Sequence, residues 1–467
     1  MSVGTLLLCS SCAHTSRTKV EIAVDLPENY ASGSVAGSVS TNLWWLSFED
    51  NKLDTLIEEA LGENFGLQQA RYRLEQANAV ARKAGAAQIP QLSLQGNAAR
   101  AKSHIQTLAG IDLQESNQFG LNLAASYELD LWGRVSASKR AATIDAQTAR
   151  DNLETAAISL TAQLADAWYR LAAFNERLEL LQAQIKNSKN QVILLEMRFN
   201  TGQATSLDVW QQREQLAALR TLKPRLEASI ITVSHQLALL LGRTPNDNKD
   251  LKPETLAKLP PLPKTGLPAD LIENRPDVRA ALNRVRAADE RVAVAVADRL
   301  PALRLTASAG YSNTDSAELF DDLLWNIAGN IFAPVLDGGR RKAEADRAES
   351  AMKEQLAACG TILLTAMREV EDALVNESKQ NETIERQQEQ HEAARQTLKY
   401  AHFRYKRGLT EYLPVMNALN REQTLARIMV DTRQQRLSYR IQLQRALGSS
   451  WKNSENYETG ERRENND

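Results

Sequence analysis

The sequence predicts a mostly α-helical protein that carries a membrane β-barrel portion. One plan of helix, strand pair, very long helix and helix is laid down twice. Three observations predict it: two halves of a 467-residue chain that align with each other, stretches of period-two alternation inside each half, and apolar residues at heptad-like spacing over very long runs.

The duplication comes first. Residues 67–94 read LQQARYRLEQANAVARKAGAAQIPQLSL and residues 278–305 read VRAALNRVRAADERVAVAVADRLPALRL, so that Arg73 falls on Arg284, Ala77 on Ala288 and Pro90 on Pro301. Further along, Gly133-Arg134 matches Gly339-Arg340, Asp166 matches Asp372, and the stretch Arg198 to Gly202 matches Arg404 to Gly408. Between the halves, residues 243–268 are rich in proline and polar residues and break any helix.

Strands are expected at about 89–103, 117–131, 301–313 and 323–336. Phe119, Leu121, Leu123, Ala125, Tyr127, Leu129 and Leu131 share one face, against Asn122, Ser126, Glu128 and Asp130. Leu303, Leu305, Ala307, Ala309 and Tyr311 alternate with Arg304, Thr306, Ser308 and Ser312, and Leu323, Trp325, Ile327, Ile331, Ala333 and Val335 form another apolar set. Alternation of this length suits a strand tilted through a bilayer, lipid on one face and water on the other. Tyr127, Trp132, Tyr311, Trp325 and Phe332 are candidates for interfacial rings. Open edges in lipid leave backbone groups unpaired, so four strands in a membrane demand further copies of the chain.

The long helices follow. Residues 135–199 hold neither proline nor glycine, and Leu153, Ala157, Leu160, Leu164, Ala167, Leu171, Phe174, Leu178 and Leu181 open a 4-3 spacing that runs on to Phe199, broken only at Ser188. Such a helix is roughly 100 Å long and needs partners of similar length. Its counterpart runs from about Arg340 to Arg407, with the register weakening through Glu377, Gln380 and Gln387; these positions are expected to face water inside a hollow cylinder of helices. Gly202 and Gly408 stand where a left-handed C-cap is needed. Thr205 with Asp208 reads as a capping pair, and Thr410 with Pro414 opens the counterpart helix.

Composition sets the exclusions. With 56 basic and 58 acidic residues, no basic face advertises nucleic acid. No run of about 18 apolar residues exists, so a membrane crossing has to be a closed barrel. The five histidines are scattered and form no H-E-x-x-H pair, and Asp337-Gly338-Gly339-Arg340 lacks the lysine of a phosphate loop and reads as a turn. No nucleophile, metal cluster or cofactor motif emerges, and no enzyme activity or cofactor is expected. Of the three cysteines, Cys359 lies in a helical pattern. The apolar start resembles the end of a lipoprotein signal peptide whose cysteine becomes acylated. Cys12, preceded by Ser11, is the stronger candidate for the lipid, and Cys9, preceded by bulky Leu8, the weaker.

Five stretches in order carry a family resemblance: Trp44-Trp45 followed by Leu53 to Ile57, Tyr127 to Arg134, Arg275-Pro276-Asp277-Val278, Pro334 to Gly339, and the turn Arg404 to Val415. Together they resemble the outer membrane efflux family, the TolC-like exit ducts of tripartite pumps, in its lipoprotein branch. The resemblance implies a homotrimer whose twelve strands close one β-barrel in the outer membrane and whose twelve helices continue it as an α-barrel tunnel through the periplasm. Outer-membrane lipid, a periplasmic adaptor (membrane fusion) protein and an inner-membrane RND-type transporter are the implied partners, with no nucleic acid. The implied organisation is a signal-peptide remnant at 1–11, an N-terminal anchor and equatorial segment at 12–51, repeats at 52–242 and 269–447, a linker and equatorial segment at 243–268, and a tail at 448–467.

The two hairpin tips, with Gly202, Thr205, Asp208, Gly408, Thr410 and Pro414, are the implied adaptor contacts. The family's returning helix often carries Leu-Asp-Ala-Gln-Arg, whose charges help to close the periplasmic aperture. Here the stretch is Met416-Asn417-Ala418-Leu419-Asn420, so a gate without that charge is expected. Tyr412 and Leu413 are the candidate constricting residues, Asn417 and Asn420 the uncharged ring positions, and Asp208 and Arg421 the candidate substitutes for the missing charge. The implied function is passive export of small molecules. Type I secretion of proteins is the alternative within the family, and a soluble coiled-coil scaffold the alternative outside it.

Overall fold

The computed structural model describes residues 27–31, 43–107, 110–248, 250–253 and 255–451. Cys9 and Cys12 lie outside the described residues. The chain forms two compact units. One comprises Tyr72–Arg150 and Ala280–Thr361; the other holds Asp151–Arg279, the described residues up to Arg71 and those from Ile362 onwards.

The first unit is built on one antiparallel sheet, β1 (Gln91–Thr107), β2 (Gly110–Leu129), β3 (Ala302–Asn313) and β4 (Leu323–Phe332), in that order. Register aligns the two-faced pattern across the sheet: Leu94 stands opposite Leu123, Leu123 opposite Ala309, and Ala309 opposite Trp325. One face therefore presents Leu92, Leu94, Leu123, Trp325, Ile327 and Ile331, all exposed, while Gln95, Asn122, Ser308 and Asn326 share the other. β1 and β4 are edges.

Strand lengths differ from the expected ones. β1 and β2 run on to Thr107 and Gly110, well past 103 and 117, because antiparallel pairing continues where the apolar alternation stops. β4 ends at Phe332 rather than 336, ahead of Pro334, which cannot donate to a ladder.

Each strand pair hands over to a long helix through a carboxylate cap. α3 (Arg134–Asn200) begins with Val135 and Ser136 N–H donating to Asp130 at 2.9 and 2.8 Å. α7 (Arg340–Lys406) begins with Gly339 and Arg341 N–H donating to Asp337 at 3.1 and 3.3 Å. The glycine motif is thus a turn, as expected. Beside these starts lie α2 (Phe65–Ala86), from Tyr72 onward, and α6 (Pro276–Ala297). Small residues bring α6 and α7 close: Val292 and Ala295 pack on Ala345 and Ala348.

The second unit gathers the remainder of α3 and α7 with α4 (Ser206–Leu240) and α8 (Leu413–Ala446). Gln212 to Ser188 and Arg170 to Gln236 tie α4 to α3. Arg177 to Asp431 at 2.8 Å ties α3 to α8, and Gln380 to the Thr432 carbonyl at 3.0 Å ties α7 to α8. α8 therefore lies between the two long helices. α1 (Asn51–Glu63) starts on an Asp50 cap that also accepts from the Trp168 indole at 2.8 Å. The short α5 (Leu271–Asn274) ends the linker.

The polar seam positions of α7 are not water-facing. Glu377 is 3% exposed and grips Arg440, itself 2% exposed, through both carboxylate oxygens. Arg440 also donates to the Pro260 and Pro261 carbonyls at 2.6 and 2.7 Å, fastening the linker to the helices. Gln387 is half-buried. The weakened seam thus carries hydrogen bonds to α8 at Glu377 and Gln380, while Gln387 Oε1 is enclosed without one.

Candidate functional site at the hairpin tips

Two helix–turn–helix tips sit together in the second unit. In the first, Gly202 takes φ +72°, and the N–H of Gln203 donates to the Arg198 carbonyl at 2.7 Å. In the second, Gly408 takes φ +71°, and the N–H of Leu409 donates to the Arg404 carbonyl at 3.0 Å. Both turns close the last carbonyls of a helix with a residue in the left-handed region. A Cβ at either glycine would meet nothing within 4 Å, so backbone conformation alone calls for glycine.

The helices leaving the turns start differently. α4 opens on a reciprocal cap: the Asp208 N–H donates to Thr205 Oγ1 at 3.2 Å, and the Thr205 N–H donates to Asp208 Oδ2 at 2.9 Å. Thr410 caps nothing. α8 begins at Leu413 with Tyr412 in the cap position, no side-chain cap bond, and Pro414 in its first turn.

Tyr412 does not project into open space. It is 5% exposed and packs with Leu195, Val209, Val415 and Met416, its ring edge-on to Tyr405 at 5.4 Å. Its hydroxyl donates to Gln212 Oε1 at 2.7 Å, with Gln191 Oε1 behind at 3.2 Å. Gln212, fully buried, donates in turn to Ser188 Oγ at 2.8 Å. Burial first, then Tyr405 and Asp208, push the phenol's ionisation up from its ordinary value. Tyr412, the expected constricting residue, is thus enclosed among neighbouring helices, and it fastens the start of α8 to the first hairpin.

Ser188, the break in the heptad spacing, is the visible trace of this network in the sequence. Its partner Gln212 carries no signal of its own, and Tyr412, read as a constricting residue, gives no hint of Gln212 until the neighbouring helix is known.

The other gate candidates divide by helical face. Leu413, Asn417 and Arg421 recur every four residues and are exposed, with Leu413 at 40%. Val415, Met416, Ala418 and Leu419 point the opposite way and are buried. Asn420 lies at the boundary, half-buried, its Oδ1 enclosed and without a hydrogen bond. Asp208 is held by its own cap, so it is engaged locally.

Around the tips, Leu207, Trp210, Phe403 and Leu409 are exposed. Arg198 lies over the Tyr405 ring, and Arg407 over Phe403. Elsewhere, His391 Nε2 meets Glu422 at 3.2 Å, and burial followed by Lys406 holds the His402 pKa below its ordinary value. Among the described residues, no group of three or more His, Cys, Asp or Glu is placed to hold a metal ion, and no helix is long and apolar enough to cross a membrane.

Comparison with known proteins agrees with this geometry. The family described as outer membrane efflux protein matches residues 56–243 and again 267–449. The pyoverdine export outer membrane protein OpmQ of Pseudomonas putida is 30% identical over 458 residues, 96% of this chain and 95% of that protein. Outer membrane protein OprJ of Pseudomonas aeruginosa is 31% identical over 442 residues, 90% of this chain and 89% of that protein. The solved outer-membrane channel OprN superposes with a TM-score of 0.87 at 26% identity, covering 92% of this chain and 98% of that one.

Proposed function

The chain belongs to the outer membrane efflux protein family, and from that premise we propose that three copies close their sheets into one twelve-stranded barrel continued by twelve helices. The protein is the outer-membrane exit duct of an efflux system, with an extension into the periplasm. The observation that carries the trimer is the sheet itself. An apolar face flanked by two open edges satisfies its backbone in lipid only when another sheet joins each edge.

The duct is a passive conduit for small molecules, driven by a pump elsewhere. The name of the pyoverdine export relative supports that class of cargo. The glycine turns at Gly202 and Gly408, with Trp210, Phe403 and Leu409 exposed beside them, form the docking end for a periplasmic adaptor that links the duct to an inner-membrane RND-type transporter. Leu413, Asn417 and Arg421 line the closing aperture, with Asn417 as an uncharged ring position. Cys12 carries the lipid anchor.

Mass measurement in detergent, combined with planar-bilayer conductance, tests this reading. The expected result is a trimer that conducts ions in single steps. A monomer that stays in water without detergent and never conducts would overturn it in favour of a helical scaffold.

A further inference from the structure

The register of the sheet predicts where neighbouring copies meet, and the meeting point is charged. At right angles to the strands, Gly96 of β1, Leu121 of β2, Tyr311 of β3 and Leu323 of β4 form one row. A closed barrel does not join the ends of such a row, because its strands tilt by about 35–45°. Over four strands at ~4.8 Å spacing, that tilt displaces the junction by roughly 16 Å along the strand, about five residues.

Pleating restricts the choice further. Leu323 faces outward with Gly96, so its partner on the next copy has to be an even-numbered residue of β1, displaced by about four or six positions. Displacement toward the chain start would set Leu323 opposite Leu92 or Pro90 and leave nearly all of β4 unpaired in lipid. Displacement the other way sets Leu323 opposite Arg100 or Lys102, and then all of β4, down to Phe332, pairs within β1. Only this direction closes the ladder.

It also explains why β1 extends so far beyond the row that ends β4. The residues brought together there are complementary. Arg100 and Lys102 both reach Glu115 at 2.8 Å, so two cations share one carboxylate on the outward side of the edge strand. The loop that precedes β4, residues 314–322, carries Asp315, Glu318, Asp321 and Asp322 and no lysine or arginine. Asp321 and Asp322 are exposed. Asp321 then stands opposite Lys102 in the first register and opposite His104, two residues further along β1, in the second.

We propose that the basic outer edge of β1 docks against the acidic β3–β4 loop of a second copy of this chain, with Asp321 seated beside Lys102. This rests on the trimeric reading above. Exposed ion pairs add little affinity, so the clasp acts on register. A slip far enough toward the strand start to set Asp321 opposite Ala98 or an earlier residue removes the carboxylate from the cations.

Disulfide trapping in outer membranes tests it. The double variant Lys102→Cys/Asp321→Cys is expected to give a ladder up to the trimer on oxidation, reversed by dithiothreitol. Neither single variant, nor Gln91→Cys/Asp321→Cys, gives one. Lys102→Glu is expected to lower the temperature at which the trimer dissociates in dodecyl sulfate, and Lys102→Glu/Asp321→Lys to restore it. Mass in detergent is read alongside. A trimer that shows no Lys102→Cys/Asp321→Cys ladder and no charge-swap rescue overturns the clasp and leaves the trimer standing. A monomer overturns both.

Discussion

The Arg440 guanidinium closes on both oxygens of the Glu377 carboxylate, with each side chain almost wholly out of water, and its remaining nitrogen holds the Pro260 and Pro261 carbonyls. One residue of α8 thereby joins α7 and the linker.

Removing the acid from that pair leaves a buried cation. Glu377→Ala is expected to destabilise the protein by about 3–5 kcal/mol, read as a lowered midpoint of thermal denaturation in detergent. Arg440→Lys keeps the charge but loses the fork. It is expected to free the linker, so that limited proteolysis between residues 243 and 268 accelerates. Unchanged cutting would show that the linker is held elsewhere.

Tyr412 and Asn417 lie on opposite faces of α8. With a membrane-impermeant maleimide, Asn417→Cys is expected to label readily and Tyr412→Cys slowly in the folded duct. Tyr412→Phe strips Gln212 of its donor and is expected to cost about 1–3 kcal/mol, again as a lowered denaturation midpoint. Rapid labelling at Tyr412→Cys would return that residue to the aperture.

Asn417→Asp adds one carboxylate to each copy. Carboxylates close together near an axis attract cations and raise one another's pKa. Divalent cations are expected to block single-channel current at lower concentration in this variant, and the block to weaken on acidification. The same block in both proteins would remove Asn417 from the conduction path.

Arg275 anchors the start of α6 through Asp277 at 2.6 Å, Glu369 at 2.9 Å and the Ala446 carbonyl at 3.0 Å. Burial works against the Asp277 carboxylate, but the hydrogen bonds and charge of Arg275 outweigh it and hold its pKa below the usual range. A depressed carboxylate stabilises the fold above its unfolded pKa, and that contribution is lost as pH falls through the folded one. Thermal stability is therefore expected to fall as the pH drops below the ordinary aspartate range of about 4. Asp277→Asn should lower the neutral-pH value and flatten part of the acid slope; an unaltered slope would assign it to other carboxylates.

Period-two alternation, the 4-3 spacing and the matched halves were legible in residue order because each is set by local geometry. So were the Thr205–Asp208 cap and the left-handed turns at Gly202 and Gly408, which depend on residues a few positions apart. The hidden part was long-range. Glu377 and Arg440 are 63 residues apart, and Tyr412 and Gln212 200 apart, so neither pairing shows in the residues on either side of its members. The far ends of β1 and β2 were missed for a different reason. Beyond the apolar band nothing forces alternation, and only the backbone ladder continues.

α3 and α7 each count 67 residues, and each ends on the same glycine turn. Inserting one heptad into one of them alone would offset its turn by about 10 Å, parting Tyr412 from Gln212. Chain growth here is therefore coupled: each repeat must lengthen by the same step as its twin, or the two glycine turns no longer meet.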